Sequence, residues 1–138
     1  MSDFILDCSM TMAWCHREET SPRTNAVLAC LMTKEALVPN HWWLEVANVL
    51  ATWERRGRID GGQITRLLDF LNGLPIVVDD RTAEAALGET LSLALKWRLS
   101  TYDAAYLELA LREGIPLASL DEALKRAAAE MGIALFQG

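Results

Sequence analysis

The feature that most restricts the fold is a repeated change of hydrophobic period along the chain. Short apolar runs stand at Phe4-Ile5-Leu6, Leu37-Val38-Pro39, Ile76-Val77-Val78, Ile115-Pro116-Leu117-Ala118-Ser119-Leu120 and Ile133-Ala134-Leu135-Phe136. They lack the polar alternation of a half-solvated strand, so they read as strands buried on both faces. Between them, apolar residues recur every three or four positions. Val27, Leu28, Leu31 and Met32 make one stripe, Trp42, Val46, Val49, Leu50 and Trp53 another, and Ile64, Leu67, Leu68 and Leu71 a third. Ala83, Ala86, Leu87, Leu91 and Ala94, then Leu124, Ala127, Ala128 and Met131, continue the series. That spacing turns one face of a helix to the core. Ser21-Pro22 supplies a helix start, and Gly57, Gly73, Gly114 and Gly132 supply stops. Strands joined through helices cross over and run parallel. The expected fold is α/β: one domain over residues 1–138, with a central, mostly parallel five-stranded sheet flanked by helices.

Bulk properties narrow the class. A chain of 138 residues is long enough for one buried core. At 51% hydrophobic and 23% charged residues it is not a disordered chain. No apolar run approaches the roughly 20 residues of a membrane span. Met1-Ser2-Asp3-Phe4 does not open a secretory signal. Cys8, Cys15 and Cys30 are odd in number and form no CxxC pair, so they read as free thiols of a reducing compartment. A cytoplasmic protein with no membrane partner is expected. The net charge of −6 counts against a nucleic-acid binder unless the acids are concentrated. Four acids gathered around metal would leave 15 against 13 Lys and Arg, a balance of −2.

One acid stands where the helical period asks for an apolar residue. Ser100 to Leu111 reads as a helix, and Asp103 shares its face with Tyr106, Leu107, Ala110 and Leu111. Charged groups avoid such a face unless something pairs with them. Ser100, three residues earlier, resembles the start of a capping box with Asp in place of Glu or Gln, which is itself a sufficient structural role. Three further acids fall at the same edge of the expected sheet. Asp7 follows strand one, Glu45 sits in the first turns of the helix leaving strand two, and Asp121 follows strand four. Sites in open α/β sheets form at the carboxyl ends of strands. Asp7 and Asp121 are open to a capping role, and Glu45 to complementing a helix dipole. Four caps at one edge are the less economical account.

Clustered carboxylates repel and need cations. Hard oxygen ligands suit Mg²⁺ or Mn²⁺, which keep waters and complete their shell with phosphate oxygens. Such an ion acidifies water and stabilises the attacking and leaving oxygens of a phosphodiester. No His–Glu–His zinc pattern and no P-loop are present. His16 and His41 are isolated, which favours surface or packing roles, and neither is evidently placed to serve a Ser or Cys nucleophile.

Leu6-Asp7-Cys8-Ser9, Glu45-Val46-Ala47-Asn48-Val49-Leu50, Tyr102-Asp103-Ala104-Ala105-Tyr106-Leu107-Glu108-Leu109-Ala110 and Leu120-Asp121 together resemble PIN-domain ribonucleases. More narrowly, they are similar to the VapC toxins of bacterial type II toxin–antitoxin pairs. The resemblance covers essentially the whole chain in order and length, and its specific part is the second and third segments at their mutual spacing. It implies a PIN-like domain and a Mg²⁺- or Mn²⁺-dependent endoribonuclease that hydrolyses RNA phosphodiester bonds. Asp7, Glu45, Asp103 and Asp121 would hold metal and activate water, with Ser9 and Ser119 assisting. The resemblance further implies a homodimer and a small cognate antitoxin whose C-terminal segment blocks the acidic groove. Operator DNA would then be a partner only indirectly, through the antitoxin.

Around these acids, Lys125 and Arg126 lie about one turn after Asp121, placed to meet RNA phosphate. Arg55, Arg56 and Arg58 gather at the far end of the Glu45 helix, about 15 Å away at 1.5 Å per residue. Their setting is either a helix end favoured by its dipole or a contact for RNA or an acidic partner. Trp42 and Trp53 fall on the apolar stripe, while Trp43 points elsewhere. Glu108, about 140° round the helix from Asp103, should face away from the site and lie on the surface. A rival reading is a receiver-like phosphoacceptor switch using Asp79 or Asp80, but it gives Asp103 no task. It also wants a Lys after the last strand, where Gln137-Gly138 stands. A PIN nuclease of RNA processing that is not a toxin would share the same acids.

Overall fold

The computed structural model describes residues 1–138. Strands β1 (Phe4–Leu6), β2 (Ala36–Val38), β3 (Ile76–Val78) and β4 (Leu117–Ala118) form one sheet in the order β3-β2-β1-β4. Every pairing is parallel, and Ile5 in β1 is in register with Leu37 on one side and Leu117 on the other. β1 and β2 are buried throughout, as their unbroken apolar runs require. The helices are α1 (Cys8–Cys15), α2 (Pro22–Cys30), α3 (Trp42–Arg55), α4 (Gly61–Asn72), α5 (Thr82–Ala85), α6 (Leu91–Trp97), α7 (Thr101–Glu113) and α8 (Glu122–Glu130).

Local chemistry sets the helix ends that matter for the site. Ser21 and Thr24 form a reciprocal capping box at α2, with Pro22 in its first turn. Ser100 caps α7 by accepting from the Asp103 amide at 3.1 Å. Gly114 closes α7 at φ 67°, a left-handed conformation that a Cβ disfavours. The α7 face from Ala104 to Ala110 is buried, with Tyr106, Leu107 and Leu109 wholly removed from solvent beside Phe4 and Leu117 in one core. Each such Leu or Phe stabilises the fold by about 2 kcal/mol.

Four expectations need correction. The sheet has four strands, not five. The Ile133–Phe136 segment runs alongside β4 but makes one isolated bridge, Leu135 to Leu117. β4 is only two residues long, because Ser119 turns away toward Asp7, so it offers little ladder to a fifth strand. Second, β3 is an edge strand and not a buried one, with Val77 39% and Val78 37% exposed. Third, the stripe from Ala83 to Ala94 is not one helix. Gly88 has non-helical angles (φ −104°, ψ −106°), and a π turn at Ala86–Thr90 separates α5 from α6. Fourth, Glu108 does face away from Asp103, but it is buried, with both oxygens bound by Arg112 at 2.8 and 3.0 Å.

Candidate active site

Asp7 follows β1 directly and stands at the N-cap of α1, yet its side chain makes no capping bond. Its amide continues the β1–β4 pairing by donating to the Ala118 carbonyl at 3.0 Å. The residue is only 4% exposed, and one carboxylate oxygen, Oδ2, receives two hydroxyls: Ser9 Oγ at 2.7 Å and Ser119 Oγ at 2.6 Å. Burial pushes the Asp7 pKa up to about 6; the two hydroxyls oppose that rise, and the charges of Glu45 and Asp103 add to it.

Glu45 reaches the same place from the first turn of α3. Tyr106 of α7 donates its hydroxyl to Glu45 Oε1, joining the two helices across the site. Burial again raises the Glu45 pKa, the Tyr106 bond opposes it, and Asp103 adds to it. Burial also drives the Tyr106 hydroxyl far above its ordinary pKa, so it stays a donor at any working pH. His41 lies one turn before Glu45, with Nε2 3.0 Å from the Tyr102 carbonyl and 3.4 Å from Glu45 Oε1. A carbonyl only accepts, so Nε2 carries the proton. Burial lowers the His41 pKa, which keeps the ring neutral near pH 7 and makes its approach to Glu45 something other than an ion pair.

Asp103, half-buried in the first turn of α7, has its pKa raised first by burial and then by Asp121; Ser100 and His41 oppose the rise. Asp121 does cap α8, accepting from the Leu124 amide at 2.9 Å through Oδ1. The capping role and the place at the site thus coexist in that residue. Asp7 at the start of α1, Glu45 and Asp103 in the first turns of α3 and α7, and Asp121 at the start of α8 share one edge of the sheet, and no Lys or Arg forms an ion pair with any of them.

That donor set fits a divalent cation. No three His, Cys, Asp or Glu side chains stand as a ready-made cage, but Mg²⁺ takes one or two carboxylates and keeps several waters. Oxygen-only acids that lack a cationic partner match this pattern, and no soft or imidazole ligand set competes. Cys8 lies next to Asp7, but burial and the surrounding acids raise its pKa far beyond the thiolate range.

Other residues singled out by sequence fall differently. Ser9 and Ser119 are at the site, bonded to Asp7. Lys125 is tied to Glu122 at 2.9 Å, whereas Arg126 is exposed and unpaired. Arg58 stacks over Trp53, 4.9 Å from the ring centre, and meets Glu19 at 3.4 Å, so it is spent within the fold. Asp79, offered by the phosphoacceptor reading, is gripped by Arg112 through both oxygens at 2.9 Å, and Asp80 is exposed outside the acid cluster. Sequence reasoning missed Tyr106 and His41. The signal was present: Tyr106 lies three residues after Asp103, and His41 four before Glu45, each on its acid's side of the helix. A groove of about 650 Å³ lies away from the four candidate acids, between Trp14, His16, Arg17, Gln63 and Arg66. A smaller one of about 310 Å³ adjoins His41, with Leu44, Thr90 and Tyr102 on its walls.

Comparisons with known proteins bear on the family and the fold. The family model for the PIN domain matches residues 4–130. The crystal structure of PAE2754 from Pyrobaculum aerophilum matches with a TM-score of 0.67 over 91% of this chain and 84% of that one, at 19% identity, a likeness of fold. No curated protein matches the chain.

Proposed function

Because this chain belongs to the PIN-domain family, a family of nucleases, we propose that it is a Mg²⁺- or Mn²⁺-dependent endoribonuclease, the toxin of a toxin–antitoxin pair. The observation that carries the proposal is the set of four acids at one sheet edge with no Lys or Arg paired to any of them, the charges of Glu45 and Asp103 raising the Asp7 pKa and that of Asp121 raising the Asp103 pKa. Asp7, Glu45 and Asp103 would hold the cation, with Asp121 beside Asp103. The chemistry such an ion supplies is Lewis-acid activation of water and of the phosphodiester.

The chain's own residues supply order. Ser9 and Ser119 fix the Asp7 carboxylate, Tyr106 fixes Glu45, and Ser100 fixes the turn that presents Asp103. Neutral His41 closes one side without adding charge, and Arg126 is the exposed cation nearest in sequence to Asp121 for RNA phosphate. A cognate antitoxin and a second copy of the chain are the proposed protein partners, with DNA reached only through the antitoxin, in the cytoplasm. Support for partners comes from Leu44 (75% exposed), Leu87 (89%), Leu95 (64%) and Tyr102 (63%), large apolar residues left in solvent.

The test is cleavage of a broad RNA panel by purified, antitoxin-free protein. Cutting with Mg²⁺ or Mn²⁺, abolished by EDTA and by Asp103→Asn in a folded protein, is the expected result; an uncut panel overturns the ribonuclease claim. Induction in a bacterial host then separates toxin from RNA-processing nuclease: growth arrest relieved by the product of a neighbouring small gene marks the toxin.

A further inference from the structure

The hydrogen bonds around Asp7 have a direction that the heavy atoms alone determine. Ser9 Oγ lies 2.9 Å from the Leu120 amide and Ser119 Oγ lies 3.0 Å from the Asp121 amide. An amide N–H only donates, so both hydroxyls accept there, and each has one proton left to give. Both protons go to the same atom, Asp7 Oδ2. The 3.4 Å contact between the two hydroxyls is therefore secondary.

Glu45 repeats the pattern with different parts. Its Oε1 takes the Tyr106 hydroxyl and has His41 Nε2 close by. No hydrogen bond reaches Asp7 Oδ1 or Glu45 Oε2. Neither atom is sealed in the interior either, since the sealed polar atoms without partners are Trp42 Nε1, Thr90 Oγ1 and Trp97 Nε1. Each carboxylate thus has one committed oxygen and one open one.

We propose that Ser9, Ser119 and Tyr106 are positioning residues that commit one oxygen of Asp7 and one of Glu45, leaving each acid a single oxygen for a cation and so favouring Mg²⁺ or Mn²⁺ over Ca²⁺. The chemistry is general: Ca²⁺ takes six to eight oxygens and accepts both oxygens of one carboxylate, whereas Mg²⁺ prefers six ligands, few of them carboxylate and several of them water. Groups that hold a ligand from behind tune affinity by about 10- to 100-fold. The inference rests on the metal-dependent reading above, and it gives that reading a discriminating detail: the serines act on Asp7, not on the ion.

The experiment is direct binding of Mn²⁺ alone and Ca²⁺ alone, by calorimetry and by the electron paramagnetic resonance of free Mn²⁺. The proteins are the wild type, Ser119→Ala, Ser9→Ala and Tyr106→Phe, each checked for folding by circular dichroism. The wild type should prefer Mn²⁺, and the variants should narrow that preference at least tenfold, with Mn²⁺ weakened and Ca²⁺ unchanged or strengthened. If folded variants keep the wild-type Mn²⁺-to-Ca²⁺ ratio, the positioning proposal is overturned while the metal site stands. Wild-type protein that binds neither ion overturns both.

Discussion

Arg112 holds Asp79 with two parallel hydrogen bonds, Nη1 to Oδ1 and Nη2 to Oδ2, each 2.9 Å long. The same guanidinium binds Glu108, so one cation joins α7 to the residue that follows β3. Removing it leaves two buried carboxylates without a cationic partner. Arg112→Ala should cost about 3–5 kcal/mol in urea unfolding at neutral pH. Arg112→Lys should recover only part, because an ammonium cannot reproduce the planar fork.

That clamp should also weaken in acid. Burial alone would raise the Asp79 pKa, but the hydrogen bonds and charge of Arg112, with help from Thr82, hold it below the ordinary 3.8. The unfolded chain therefore takes up this proton first as pH falls. The stabilisation is full above about pH 4 and is lost as pH drops through the depressed folded value. Unfolding of wild type and Asp79→Asn across pH 3 to 7 should show a gap that closes only at the acid end.

Asp7 has the opposite sign. Its folded pKa of about 6 exceeds the ordinary 3.8, so the folded chain binds that proton more tightly than the unfolded one. Stability from this group is greatest below about pH 4 and falls as pH rises through 6, a loss of about 3 kcal/mol at 1.36 kcal/mol per unit. Metal-free Asp7→Asn should be more stable than wild type at pH 7.5 and inactive. Its amide oxygen still accepts from both serines. Mn²⁺ should raise the wild-type melting temperature at pH 7.5 and leave Asp7→Asn nearly unmoved, as thermal scans with and without the ion would reveal.

The two acids of α7 should separate cleanly. Asp103→Asn should abolish cleavage with a small change in stability. Glu108→Gln weakens the Arg112 clamp but leaves the acid edge intact, so its folded fraction should cleave RNA at the wild-type kcat/KM while unfolding at lower urea. Paired kinetic and urea measurements on both variants check the contrast.

Asp121 carries two roles that different substitutions divide. Asn is as good a cap as Asp, so Asp121→Asn should keep the wild-type urea midpoint, while Asp121→Ala should lose about 1 kcal/mol. Cleavage should fall at least tenfold in both. Full activity in Asp121→Asn would assign the residue to capping alone.

The places where sequence reading succeeded are those where the signal is local. Asp103 broke the period of its own helix, Asp7 closed its own strand, Asp121 capped its own helix and Glu45 opened its own; the parallel sheet then brought them to one edge. Partnerships across the chain were invisible. Nothing near Glu108 in sequence announces that Arg112 also reaches Asp79, 33 residues earlier. Nothing near Glu45 announces Tyr106, 61 residues later. The kink at Gly88 escaped for a different reason: an apolar stripe survives a single π turn, so periodicity continues where the backbone does not. The fifth strand failed because the sequence shows what a strand can be made of, not how many residues its neighbour leaves to pair with.

The position of β1 has a consequence for synthesis. Asp7 follows β1, an interior strand of the sheet, yet the β4 partner of that strand is made more than a hundred residues later. Ser119, which orients the Asp7 carboxylate, comes later still. A nascent chain therefore carries Asp7 with Ser9 alone to hold its carboxylate, long before Ser119 is made. The acid edge assembles only once β4 and Ser119 dock against β1, so a chain made only as far as α6 lacks it.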